Sequence, residues 1–150
     1  MMLKRNSVDE RKTLTQLEGS DWGPSPSSSY IEQGCHELRY KPLAEMQVED
    51  LRLLVGQNIG LRYLMPIVFD VLRKDPLAEG MHYPGDLLSA TIRADPGFYR
   101  EHPAAGVEIQ EIAQRAIDAL GKEDEDVQEY PLEGIHAALA IFRSAPGNQR

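Results

Sequence analysis

The sequence predicts an all-α protein, a compact single-domain bundle of about seven helices turned by proline and glycine corners. Apolar residues recur at the helical period in stretch after stretch, and no run of strand length alternates between hairpin turns. Ten prolines and twelve glycines punctuate the chain between those stretches. The 150 residues suit one domain, read as 1–150, ordered over about 8–143 with frayed ends at 1–8 and 144–150.

In chain order, Ser29 followed by Glu32 has capping-box spacing for a first helix carrying Ile31, Cys35 and Leu38, with Gly34 weakening its middle by ~1 kcal/mol. "VEDLRLLVGQ" puts Leu51, Leu54 and Val55 on one face, with Glu49 and Asp50 at the end where the helix dipole favours acids. From Leu61 the residues Leu64, Met65, Val68, Phe69 and Leu72 form a stripe that Ile67 and Val71 widen, as expected of the most buried helix. Pro66 either kinks that helix or sits in its first turn. "PGDLLSATIR" and "DPGFYREHP" read as two short helices, the second capped by Asp95 with Pro96 at its first position. "AAGVEIQEIAQRAIDALG" aligns Ile109, Ile112, Ala113, Ala116, Ile117 and Leu120 and stops at Gly121. "PLEGIHAALAIFR" aligns Leu132, Ile135, His136, Leu139 and Phe142.

Charge narrows the partners. A formal charge of −8 disfavours direct binding to nucleic acid and suits a cationic protein. Cys35 is the only cysteine, and "MMLKRNSVDERKTLTQ" does not read as a signal peptide, so a cytoplasmic protein is expected. "YLMPIVFDVL", interrupted by Asp70, falls far short of the ~20 residues of a membrane span.

Chemistry-bearing patterns are weak. His82 and Asp86 lie four apart and Glu101 adjoins His102, but Pro84 and Gly85 break the first spacing and no HExxH-like ligand pattern occurs. Cys35 shares a face with Ile31 and Leu38 and reads as a buried thiol, and His136 on an apolar stripe reads as a core histidine. "GQNIG" lacks the lysine and spacing of a phosphate loop. No catalytic residue, metal ligand or cofactor is assigned.

Two surface candidates remain. Between Glu101 and Glu133 ten acids face Arg115 and Lys122 alone, so this segment holds the whole net charge. Its densest part, "KEDEDVQEY", is either a solvated loop between helices or a negative patch facing a basic protein. "LAEGMHYPGDLL" places Met81, His82 and Tyr83 beside Glu79 and Asp86 in a turn. There the aromatic residues either anchor an interface or fold inward over the core.

Together, "LEGSDWG", "SYIEQGCHELRYKPL", "VEDLRLLVGQNIGLRYLMPIVFDVL", "DPLAEG" and "YPGDLL", in this order from about Leu17 to Leu88, resemble the immunity proteins of bacterial contact-dependent growth inhibition (CDI) systems, with a looser helical similarity to about Phe142. The resemblance implies a small, non-catalytic cytoplasmic antidote that binds, one to one, the toxic C-terminal domain of a large surface protein, often a nuclease. The surface candidates then give toxin-binding residues Glu79, His82, Tyr83, Asp86, Glu123, Asp124, Glu125, Asp126 and Glu129. In that pattern Trp22 reads as a clasp packed back onto the bundle, with Asp21 capping locally. Gln47 stands where the pattern has a serine or threonine cap, and Met81–His82 where it has an acid and an aromatic residue. The competing readings are a small helical enzyme built on Tyr83, His82, Asp86 and His102, and a generic helical adaptor.

Overall fold

The computed structural model describes residues 3–145. Among them are eight α-helices and no strand: α1 (Leu14–Glu18), α2 (Tyr30–Leu38), α3 (Val48–Gly56), α4 (Leu61–Lys74), α5 (Asp86–Ile92), α6 (Pro96–Glu101), α7 (Pro103–Leu120) and α8 (Glu125–Ser144), with 3-10 turns at Arg5–Ser7 and Leu43–Glu45. The additional helix, α1, carries a signal in its sequence. Thr13 and Gln16 form a capping box, each side chain bonding the other's backbone N–H at 3.2 and 2.9 Å, and Gly19 ends the helix in the left-handed region.

The α3–α4 corner explains "GQNIG". The Asn58 and Ile59 amides bond back to the carbonyls of Val55 and Leu54 at 3.0 and 2.9 Å, with Asn58 left-handed, which is a Schellman stop. Gly60 follows at φ +66° as the cap residue of α4, and the Asn58 side chain accepts the Asp95 amide at 2.8 Å. The corner therefore ends one helix, starts the next and positions the cap of α6. Asp95 in turn accepts the Gly97 amide at 3.0 Å, with Pro96 at the first helical position as expected.

The most enclosed helix is α5 rather than α4. Every residue of α5 except Ala90 is buried, because α3 covers one side and α8 another, whereas α4 leaves Leu61, Tyr63 and Val71 only partly covered. Pro66 lies beyond the first turn of α4 and is itself buried, at the cost of the helical bond to the Arg62 carbonyl. On α8 the buried stripe is Pro131, Ile135, Ala138, Leu139 and Phe142, and His136 is exposed, contrary to the core position expected for it. A spacing of three then four selects Ala138 and turns His136 off the seam. Gly121 does stop α7, but with φ −63° it uses no left-handed turn.

Leu3, Arg5 and Val8 are tied to the helices, where fraying was expected. Arg5 bonds Glu10 and Asp70 at 2.9 and 3.1 Å, and Arg73 joins the Leu3 carbonyl to Glu108. Of the frayed ends expected at 1–8 and 144–150, residues 1–2 and 146–150 lie outside the described residues.

Leu14, fully buried, seats α1 against the start of α4, where a Cβ on Gly60 would lie 2.8 Å from its Cδ2. Gly60→Ala is therefore expected to cost about 2–4 kcal/mol in urea unfolding, from left-handed strain plus overpacking. Gly19→Ala, left-handed with open space around it, should cost only about 1–2 kcal/mol.

Candidate partner-binding surface

The turn before α5 is held by carboxylates. Asp86 accepts the backbone amides of Gly80 and His82 at 2.7 and 3.0 Å, while Glu49 of α3 accepts the Met81 amide between them at 2.9 Å. Three successive donors that would otherwise lack partners are thus satisfied by side chains from two helices. Arg52 binds Glu49 through Nε and Nη2 at 2.7 and 2.6 Å and stands 3.9 Å from Asp86, offsetting the negative charge gathered there. The Arg52 hydrogen bond, with help from the Met81 amide, holds the Glu49 carboxyl below its ordinary pKa. Gly80 leaves room at the centre, since a Cβ there would displace the Glu49 carboxylate and press on Asp86.

Asp86 is 3% exposed, so this predicted contact residue supports the surface from beneath. Above it Met81 is 78% exposed, His82 and Glu79 face solvent, and Tyr83 is half-buried. Tyr83 reaches α8. Its ring meets Tyr130 edge-on at 5.1 Å and covers Gly134, where a Cβ would stand 2.9 Å from the hydroxyl.

That contact joins the two surface candidates. The segment "KEDEDVQEY" is helical from Glu125 onward instead of forming a loop throughout, with Glu125 and Asp126 in the first turn of α8 where the dipole favours them. Glu123, Asp124, Glu125, Asp126 and Glu129 are all exposed, and none makes an ion pair among the described residues. Val127 and Tyr130, 46% and 67% exposed, lie among them. Tyr130 is not among the residues expected from the sequence, although its exposure follows from the stripe on α8: Pro131 and Ile135 face the core, and Tyr130 falls outside that face.

The Trp22 region lies on α2. Trp22 is 44% exposed, its ring edge-on to His36 at 5.2 Å and stacked 4.0 Å from the guanidinium of Arg39. Arg39 is wholly buried and is paired with Glu18 and with the Ser20 carbonyl. Asp21 accepts the Gly23 amide at 2.9 Å and the Tyr40 hydroxyl, whose hydrogen bond lowers the pKa of that carboxyl.

His102 stacks on Phe98 at 4.6 Å, in a cleft of about 460 Å³ shared with Arg62, Asp95 and Glu101. His82, Tyr83 and Asp86 do not line that cleft, so the four residues of the enzyme reading do not share it. Cys35 is buried, which raises the pKa of its thiol, and no group of three or more His, Cys, Asp or Glu among the described residues is placed to hold a metal ion. No helix of the described residues is long and apolar enough to cross a membrane.

Residues 16–112, from α1 into α7, match a family described as CDI immunity proteins. No curated protein and no solved structure matches the chain.

Glu49→Gln is expected to speed amide exchange at Met81 near neutral pH. The stabilisation that this carboxylate supplies is present above its unfolded pKa and is lost as pH falls through the lowered folded value. The difference between wild type and variant should therefore vanish in acid, and an equal exchange rate at neutral pH would remove Glu49 from the turn.

Proposed function

The chain belongs to the family of CDI immunity proteins, and on that premise we propose that it neutralises the C-terminal toxin domain of a CDI effector by one-to-one binding, without catalysis of its own. The observation that carries the reading is the contact of Tyr83 with Tyr130, which joins the turn bearing Glu79, Met81 and His82 to the helix whose start carries the exposed carboxylates.

A cationic partner suits this surface. The segment from 101 to 133, ten acids with Arg115 and Lys122, carries the full net charge of −8, and apart from Glu108, bound to Arg73, none of these acids is held in an ion pair among the described residues. A nuclease must hold phosphates in a cationic groove, and a negative inhibitor competes for the same field, raising the encounter rate towards about 10⁸ M⁻¹s⁻¹ at low salt. Charge alone gives little lasting affinity, so the half-exposed and exposed apolar side chains supply the contact area. The antidote works in the cytoplasm, where the delivered toxin acts.

Production of the toxin domain encoded beside this chain should kill cells lacking the chain and spare cells that make it; equal death in both refutes the proposal. Reversing Glu123, Asp124, Glu125 and Asp126 to lysine should slow association about tenfold or more at low salt and flatten its salt dependence, as measured by stopped flow. An unchanged association rate would assign these four carboxylates to solubility.

A further inference from the structure

Within that surface, we infer that Tyr130 is the anchor on which an arginine or lysine side chain of the toxin is seated. The inference rests on the toxin-binding reading and adds the group on the partner that is recognised.

Tyr130 is two-thirds exposed on a helix that buries its other aromatic residue, Phe142, so its placement is not explained by the core. Helix spacing sets Asp126 one turn before it and Glu133 one turn after it, on the same outward strip as Val127. Both carboxylates are exposed, and neither pairs with a cation of this chain among the described residues. An aromatic ring bracketed by two unpaired carboxylates offers a cation a face to stack on and oxygens to bond, while Val127 can cover the apolar stem of the incoming side chain.

The ring is also held in place. Tyr83 meets it edge-on at 5.1 Å, Tyr83 lies on Gly134, and the turn carrying Tyr83 is fixed through Asp86 and Glu49. That contact restricts the ring before binding, which lowers the ordering cost of seating a partner side chain on it. Tyr30 on α2, 86% exposed, provides an internal comparison, since no ring contact of this kind holds it.

The test uses the full chain and the toxin domain encoded beside it, with binding followed by surface plasmon resonance and folding of each variant checked by urea unfolding. Tyr130→Ala should weaken binding by about 30-fold or more, mainly through faster dissociation. Tyr130→Phe should stay within about threefold of wild type, because the ring face and not the hydroxyl meets the cation. Tyr30→Ala should bind as wild type. Asp126→Asn with Glu133→Gln should weaken binding as well, and adding Tyr130→Ala to that pair should cost clearly less than the product of the separate losses, because all three groups hold one side chain. Unchanged binding by Tyr130→Ala, a Tyr130→Phe as weak as the alanine variant, or fully multiplicative losses would each overturn the anchor while leaving toxin binding intact. Absence of binding by the wild-type chain would instead remove the toxin-binding reading and the anchor with it.

Discussion

The turn at residues 80–82 sets the terms for the rest of the surface. Its consecutive amides find acceptors on α3 and α5, so the turn is sound only while those two helices are correctly packed. A loop built on its own hydrogen bonds would tolerate drift, whereas one satisfied from two helices inherits their rigidity. Gly80 is the steric condition for this arrangement and Arg52 the electrostatic one. From it follow the outward position of Met81 and the reach of Tyr83 to Gly134 on α8.

The opposite strategy operates at α2. Arg39 is a buried charge, costly unless paired, and Glu18 and the Ser20 carbonyl supply the pairing while Trp22 roofs the guanidinium. Because Glu18 closes α1 and Arg39 closes α2, this one cation ties two helices and the intervening loop together. The Arg39–Glu18 pair is neutral, whereas the carboxylates along the start of α8 have no ion-pair partner among the described residues. The net charge of −8 lies within residues 101–133, and the rest of the chain is formally neutral.

Much of the fold was legible because period and punctuation agree. The stripe on α4, the Asp95–Pro96 start of α6 and the stop of α7 at Gly121 follow from spacing and caps that act locally. Where the sequence misled, distant neighbours decided. His136 shares a stripe with Leu132 and Leu139 on a helical wheel, but the crossing of α7 and α5 over α8 favours Ala138 instead. Thr13 and Gln16 did mark α1, whose brevity hides any apolar period. On the surface, Tyr83 and the acids of α8 could each be picked out, but their meeting through Gly134 could not, because nothing local in a sequence states which glycine a tyrosine will cover. Asp86 illustrates the same limit: a carboxylate beside aromatic residues in a turn reads as exposed until the amides it serves are known.

The single tryptophan has a practical consequence of its own. Trp22 lies against Arg39 and His36 on α2, whereas the proposed contact surface is carried by the turn before α5 and by α8. Its emission is therefore a private optical gauge of whether α1 remains latched to α2. A denaturation curve followed by fluorescence would record the release of that latch, and agreement with a curve followed by circular dichroism would show whether the latch and the helices let go as one cooperative unit.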